Sequence, residues 1–183
     1  QASPGLQWAM LPPFIGPAPF LKVVPQPKRT RLITVAMMRA GDKLESYRAL
    51  SNALALLPQD LDWTLEIVGD GPEREAVQAM FSGFPENRLV WHGQKAADEI
   101  AALLSKAAIY VWPGHGEAYG LAYLEAQAAG LPVIAEKVAG VPEVVKSGAT
   151  GLLTPENDSA AYADAIKALL YDDRRRQELA KAA

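Results

Sequence analysis

The chain has 183 residues, of which half are hydrophobic and 21% are charged, and this is the composition of one ordinary globular domain. Its 18 lysines and arginines against 21 aspartates and glutamates give a net charge of −3, which argues against a nucleic-acid partner. It has no cysteine, which excludes disulfides and cysteine metal sites, and no apolar run long enough to span a membrane.

Residues 1–29 are rich in proline, which fixes φ and removes a backbone hydrogen-bond donor. Seven of the 14 prolines fall within the first 27 residues. We therefore expect an extended interdomain connector that contains neither a helix nor an inner strand. Its apolar side chains Leu11, Phe14, Ile15 and Phe20 could pack on a neighbouring surface, and a disordered tail is the alternative. The start does not resemble a signal peptide, and we expect the chain to be part of a longer protein.

From residue 30 onward, short apolar runs alternate with amphipathic helical patterns. The runs are rich in Val, Ile and Leu without strict alternation, which is typical of strands covered on both faces. They lie at residues 32–37, 65–68, 89–91, 109–112, 133–135 and 151–153. This order predicts an α/β domain over residues 30–172, Rossmann-like, with a parallel sheet of about six strands and helices on both faces. Residues 173–183 predict the start of a truncated C-terminal helix.

Ligands of open α/β sheets bind where the carboxyl ends of strands lead into helices. After the first predicted strand, Arg39 and Lys43 flank a helix start that already favours an anion, so the pair suits a diphosphate. Two solvated loop charges are the alternative. After the second predicted strand, Gly69 opens a turn that resembles a dinucleotide fingerprint, but Arg74 replaces its third glycine. The turn is therefore weak evidence for a nicotinamide or flavin cofactor.

The loop after the fourth predicted strand combines glycines with two carboxylates. Gly114, Gly116 and Gly120 predict a pliable loop whose amides can face a ligand, with a helix starting near Gly120. Glu117 lies in the loop on the ligand side. Glu125 lies eight positions later in an apolar helix, where an unsatisfied carboxylate is costly. A helix-surface glutamate and a partner of the helix dipole are the alternative readings.

These residues carry a family resemblance. The run from Glu117 to Glu125, EAYGLAYLE, resembles the motif of two glutamates separated by seven residues in retaining, family 4-like (group 1) glycosyltransferases of the GT-B fold. Further segments resemble that family in the same order. They are the Arg39 and Lys43 pair and residues 67–72, 125–134, 139–145 and 148–152. The likeness runs from about residue 10 to the end of the chain.

The resemblance implies one half of a GT-B fold, the C-terminal domain that binds a nucleoside-diphosphate sugar, with the N-terminal acceptor-binding domain missing. The implied reaction moves a hexose, with retention of configuration, to an acceptor glycan or lipid-linked glycan. No cofactor and no essential metal are implied. The fragment alone is expected to be inactive. The implied location is cytoplasmic, with peripheral attachment at the inner face of the membrane through the missing half.

The resemblance also implies roles for individual residues. Glu117 would face the transferred sugar, while Arg39 and Lys43 would stabilise the leaving diphosphate. Glu125 would accept hydrogen bonds from the ribose hydroxyls. The expected donor-binding residues are Glu125, Tyr119, Gly120, Leu121, Gly93, Gln94, Gly69 and His115.

Three other functions share parts of this pattern. A sugar-nucleotide epimerase half or a phosphorylase half would use the same two-lobed scaffold, although the glutamate pair favours the transferase. A non-catalytic module that binds nucleotide sugars would need the same donor loops. A plain NAD-binding domain would need the complete fingerprint that the turn at Gly69 lacks.

Overall fold

The computed structural model describes residues 13–183, which form six strands and eight α-helices. The strands are β1 (Arg31–Val35), β2 (Thr64–Val68), β3 (Leu89–Gly93), β4 (Ile109–Val111), β5 (Val133–Glu136) and β6 (Gly151–Thr154). The helices are α1 (Ala18–Leu21), α2 (Asp42–Ala55), α3 (Arg74–Met80), α4 (Ala97–Leu104), α5 (Leu121–Ala128), α6 (Val141–Val144), α7 (Ser159–Tyr171) and α8 (Asp173–Ala182). None of the helices within this described part combines the length and apolar character needed to cross a membrane.

The strands form one parallel sheet in the order β3-β2-β1-β4-β5-β6. This is the Rossmann order, so the predicted fold class is confirmed. The chain leaves β1 toward one edge of the sheet and returns from β3 to β4 on its other side. The loops after β1 and β4 therefore diverge, which leaves a crevice at the carboxyl ends of these two neighbouring strands.

The sheet is buried on both faces, because helices cover both. One group of helices consists of α2 packed against α3 and α7. A second group consists of α4 packed against α1 and α5. Leu32, Ile33 and Ile109 are fully buried in the central strands. The one charged side chain buried in β2 is Glu66, which accepts from Arg31 at 2.7 Å and lies 3.1 Å from Nε2 of His92.

The helical spacing read from the sequence matches the buried faces. Tyr47, Leu50 and Leu54 of α2 are buried, and the hydroxyl of Tyr47 donates to the carbonyl of Ala36 at 2.8 Å. The buried Tyr162 of α7 likewise donates to the sheet. Such bonds satisfy the polar end of a tyrosine whose ring packs in the core. They also fix the distance between each helix and its strand.

The proline-rich segment differs from the prediction. Residues 18–21 form α1, preceded by Pro17 and with Pro19 in its first turn. Prolines are accommodated there because the first amides of a helix have no partner within it. Phe20, which is 3% exposed, fastens this turn to the core. The expectation of a segment without a helix is therefore wrong for these residues.

The rest of the segment follows the surface of the domain. Ile15 packs against the core, whereas Phe14 is exposed. The backbone amides of Gln26 and Lys28 donate to the end of α4 at 2.7 and 2.9 Å. Leu11, which was expected to pack as well, lies outside the described residues. A helix does begin at Asp173, where the sequence predicts one.

The chain after β2 approaches the end of β1 closely at Gly69, and a substitution at this glycine tests that contact. Its φ is +141°, and a Cβ at this position would lie 1.9 Å from the carbonyl oxygen of Ala36. We expect Gly69→Ala to lower the free energy of unfolding by more than about 2 kcal/mol, because main-chain atoms on both sides would have to move. Urea unfolding followed by circular dichroism measures this change.

Gly83→Ala is the matched control, because a Cβ at Gly83 would meet nothing within 4 Å. We expect it to change the free energy of unfolding by less than about 0.5 kcal/mol. Equal unfolding curves for the two variants would contradict the close approach at Gly69.

Candidate active site

A cavity of about 530 Å³ lies at the carboxyl ends of β1, β2 and β4, in the crevice that the strand order creates. The polar or charged side chains that line it come from the four loops after β1, β2, β3 and β4 and from the start of α2. They are Arg39, Lys43, Asp70, Gln94, Lys95 and Glu117. Gly69, Trp112, Gly120 and Leu121 also line it. Residues that follow four of the six strands thus meet at one edge of the sheet.

Lys43 and Glu117, which both line this cavity, form an ion pair. Lys43 projects from the first turn of α2, and Glu117 projects from the loop between β4 and α5. The indole Nε1 of Trp112 donates to the same carboxylate oxygen at 3.3 Å. The ammonium nitrogen of Lys43 lies 5.6 Å from the centre of the Trp112 ring. The indole therefore contacts both members of the pair.

Two cations share this wall of the cavity. Burial lowers the pKa of Lys43, and the positive charge of Arg39 lowers it further, while Asp42 opposes the change. A lowered lysine pKa means that the ammonium form lacks part of the solvation it has in water. An anion placed between Arg39 and Lys43 would stabilise both charges.

The loop that carries Glu117 is fastened on two sides. On the side of α2, Ser46 accepts from the backbone amide of His115 at 2.8 Å. On the side of α6, the amide of Gly140 donates to the carbonyl of Ala118 at 2.8 Å. These contacts hold Glu117 above the first turn of α2.

The glycines of this loop are required for space. A Cβ at Gly114 would lie 2.1 Å from the hydroxyl of Tyr123, and one at Gly116 would lie 2.2 Å from the carboxylate of Asp42. Both glycines have positive φ, at 84° and 62°. The loop is thus packed against its neighbours, whereas the sequence suggested pliability.

The start of α5 adds uncharged donors to the same cavity. Gly120 precedes the helix with φ of 73°, and Leu121 and Ala122 form its first turn. Their two amides have no backbone acceptor within residues 13–183. Free amides at a helix start carry partial positive charge and bind anions. This turn therefore faces the cavity as a third positive group beside Arg39 and Lys43.

Seven of the eleven predicted site residues line this cavity, and four do not. The seven are Arg39, Lys43, Gly69, Gln94, Glu117, Gly120 and Leu121. Of the others, Gly93 ends β3 and accepts from the amide of Gly69 at 2.8 Å. The ring of Tyr119 lies against Gly140 and is 41% exposed. The Nδ1 atom of His115 faces Glu136, at 3.8 Å from its Oε2.

Glu125 lies on α5 one turn beyond Leu121, which puts the two residues on the same face of the helix. Its carboxylate has no hydrogen-bond or ion-pair partner among residues 13–183. Burial raises the pKa of Glu125. The charged form of this side chain is therefore poorly solvated in the domain alone, as expected for a group that a ligand would satisfy.

Several cavity residues were not predicted from the sequence, among them Trp112, Asp70 and Lys95. Trp112 ends the fourth apolar run, Asp70 follows Gly69, and Lys95 follows the third strand. Each lies at the carboxyl end of a strand, so the rule that placed the other loops would have found them. The described residues hold no cluster of three or more His, Asp or Glu side chains arranged to bind a metal ion.

The family model described as Glycosyl transferases group 1 matches residues 29–172, most of the chain. This chain belongs to the group 1 glycosyl transferases. The match covers all six strands and every residue that lines the cavity.

Known relatives agree with this membership. The sulfoquinovosyl transferase SQD2 of Arabidopsis thaliana is 29% identical over 161 residues, which are 86% of this chain and 30% of that protein. The D-inositol 3-phosphate glycosyltransferase of Pseudarthrobacter chlorophenolicus is 34% identical over 158 residues, which are 82% of this chain and 38% of that protein. This group 1 glycosyl transferase chain thus spans well under half the length of either relative.

A solved structure shares the fold. Anabaena HepE, crystallised in complex with UDP and glucose, superimposes with a TM-score of 0.72 at 24% sequence identity. The superposition covers 84% of this chain and 42% of the HepE chain. The Rossmann-like fold described above thus corresponds to a part of the HepE chain.

The raised pKa of Glu125 predicts a gain in stability when its charge is removed. A raised pKa means that the folded state favours the protonated carboxyl, so ionisation at neutral pH opposes folding. We expect Glu125→Gln to melt at a higher temperature than the wild type at pH 7. The difference in melting temperature should shrink as the pH falls. It should vanish below pH 4.5, the ordinary pKa of a glutamate, where the carboxyl is protonated in both the folded and the unfolded state. Differential scanning calorimetry across this range measures it.

Glu86→Gln serves as the control for this comparison, because Glu86 is exposed in the turn before β3. Its melting temperature should track that of the wild type at every pH. A lower melting temperature for Glu125→Gln at pH 7 would count against an unsatisfied carboxylate in α5.

Proposed function

We propose that this chain is the donor-binding half of a retaining glycosyltransferase. The enzyme moves a hexose from a nucleoside-diphosphate sugar to an acceptor glycan or a lipid-linked glycan. The observation that carries the proposal is the cavity at the ends of β1 and β4, which is lined by Arg39, by the start of α5 and by the ion pair of Lys43 with Glu117. Membership of the group 1 glycosyl transferases gives this cavity its chemistry.

The positive wall of the cavity binds the diphosphate. As the bond between the sugar and the diphosphate breaks, negative charge accumulates on the departing phosphate oxygen. Arg39, Lys43 and the first amides of α5 stabilise this charge, because they are fixed in position before the reaction begins. Stabilising the leaving group in this way needs no metal ion.

The two glutamates bind the rest of the donor. Glu117 accepts hydrogen bonds from hydroxyls of the transferred sugar, beside the bond that breaks. Glu125, one turn along α5, accepts hydrogen bonds from the two ribose hydroxyls. Gly93, which ends β3, and Gln94, which follows it, lie beside the base. The donor then extends from the end of β3, across the sheet, to the loop after β4.

The acceptor binds a second lobe that this chain does not include. The chain spans 30% and 38% of the two relatives described above, which leaves room in each for another domain. Orienting an acceptor and excluding water both require a closed cleft between two lobes. We therefore expect this chain alone to bind the donor without transferring sugar, and the complete enzyme to act in the cytoplasm, attached to the membrane through its other half.

Binding of a nucleoside diphosphate tests the proposal directly. We expect one of UDP, ADP and GDP to bind the chain in isothermal titration calorimetry, with the same affinity in excess EDTA. The phosphate partners are side-chain cations and helix amides, which chelation leaves intact. Affinity that disappears in EDTA and returns with Mg²⁺ or Mn²⁺ would overturn this description of the site. Failure of all three nucleotides to bind would overturn the function.

The ribose contact of Glu125 predicts a loss of nucleotide affinity when its charge is removed. Glu125→Gln keeps the volume of the side chain and one acceptor oxygen, so α5 should remain packed. Charge-assisted hydrogen bonds contribute roughly 1.5–3 kcal/mol, so the nucleoside diphosphate should bind about 10- to 150-fold more weakly. The same calorimetric titration measures this loss.

A 2′,3′-dideoxy nucleotide provides the control for the ribose contact. It should bind the wild type weakly and should bind Glu125→Gln with nearly the same affinity. If the wild type binds this analogue as tightly as the parent nucleotide, Glu125 does not contact the ribose.

A further inference from the structure

The ion pair between Lys43 and Glu117 occupies the position that a phosphate group would need. Both side chains are less than one-fifth exposed, and Glu117 takes its hydrogen bonds from Lys43 and from the indole of Trp112. Arg39 lines the same cavity, and within residues 13–183 no carboxylate forms an ion pair with it. A diphosphate can therefore reach Arg39 directly, but it must separate Lys43 from Glu117 before it can bind Lys43.

We propose that Glu117 competes with the diphosphate for Lys43, so that the cavity binds an intact sugar donor in preference to the free nucleoside diphosphate left after transfer. The inference rests on the proposed function, because it requires a diphosphate between Arg39 and Lys43. It assigns to the ion pair a role in releasing the product and admitting the next donor.

The preference follows from what each ligand offers to Glu117. When a free nucleoside diphosphate takes Lys43, the carboxylate of Glu117 keeps only the indole donor and faces an anion nearby. When the intact donor takes Lys43, hydroxyls of its sugar lie beyond the phosphate and donate to the carboxylate. The donor thus supplies new hydrogen bonds to Glu117 in place of the one lost from Lys43, and the free nucleoside diphosphate does not. A buried carboxylate left with too few donors is costly, so the product binds more weakly.

The contacts around the ion pair keep Glu117 close to Lys43, so that it competes effectively with a diphosphate. The loop is held to α2 by Ser46 and to the loop before α6 through Gly140, so Glu117 cannot swing far away when Lys43 is taken. Burial lowers the pKa of Lys43, so its ammonium group is poorly solvated beside its partner Glu117. A partner that is both close and held in place is an effective competitor.

Glu117→Gln tests the competition. Calorimetry is performed with the best binder among UDP, ADP and GDP and with its glucose conjugate. We expect the free nucleotide to bind Glu117→Gln about 5- to 50-fold more tightly than the wild type, because it no longer breaks an ion pair. The glucose conjugate should change by less than about 3-fold, because the loss of a sugar contact offsets the same gain.

Lys43→Gln completes a double-mutant cycle and remains informative if Glu117→Gln does not fold. In the presence of Glu117, we expect Lys43→Gln to weaken binding of the free nucleotide by less than about 5-fold, since Lys43 only exchanges one anion for another. In the Glu117→Gln background the same change should weaken binding about 10- to 150-fold. A loss above 10-fold in the presence of Glu117 would overturn the competition.

Asp70→Asn is the control for charge alone. Asp70 lines the same cavity but pairs with Arg74 at 3.0 Å, away from Lys43. Removing the charge of Asp70 should increase the affinity for the free nucleotide and for its glucose conjugate by the same factor. If Glu117→Gln also changes both ligands equally, the inference is wrong while the donor site stands. If the wild type binds neither ligand, the proposed function fails and the inference fails with it.

Discussion

The Lys43–Glu117 ion pair depends on two strands that are distant in sequence and adjacent in the sheet. The two residues are 74 positions apart in the chain, yet β1 and β4 pair directly, with Leu32 opposite Ile109. Both strands run in the same direction, so the loops that follow them leave at the same edge. Because the connections then turn to opposite sides, no loop crosses the space between them. The cavity is a consequence of strand order.

Steric fit converts this crevice into a defined site. At Gly69 and Gly114 the space of a Cβ is already taken, by the carbonyl of Ala36 and by the hydroxyl of Tyr123. Each position lets one segment approach another more closely than any side chain would allow. These approaches bring the loop after β4 against α5 and the turn after β2 against the end of β1. The rigidity of the binding loops thus comes from the glycines that would make an isolated peptide flexible.

Most of the fold could be predicted from the sequence, since strands covered on both faces produce continuous runs of Val, Ile and Leu. The edge of the sheet that holds the site could also be predicted, because it depends only on strand direction. The helix around Phe20 could not, because the burial of one ring against the core outweighs the tendency of prolines to keep a segment extended. Tertiary contacts that local patterns do not contain decide such cases.

The directions of loop side chains were equally inaccessible from the sequence. His115 and Glu117 stand two positions apart in one loop, but His115 faces Glu136 and Glu117 faces Lys43. Loop dihedrals have no fixed period, so the spacing of residues in a loop does not determine which way they point. The resemblance could name these positions without determining their contacts.

The charged groups of the site share one energetic feature. Burial raises the pKa of Glu125 and lowers that of Lys43, so each favours its neutral form more than it would in water. Lys43 has Glu117 as an ion-pair partner, whereas Glu125 has none within residues 13–183, so ionisation of Glu125 opposes folding of the domain. Under the proposed function, a ligand with vicinal hydroxyls and phosphates would donate hydrogen bonds to Glu125 and offer an anion to Lys43. The same desolvation that weakens the free domain therefore strengthens its contacts with such a ligand, because hydrogen bonds to charges gain strength as water is excluded. Under the proposed function, the charge of Glu125 therefore lowers the stability of the free domain and strengthens its binding of the ligand.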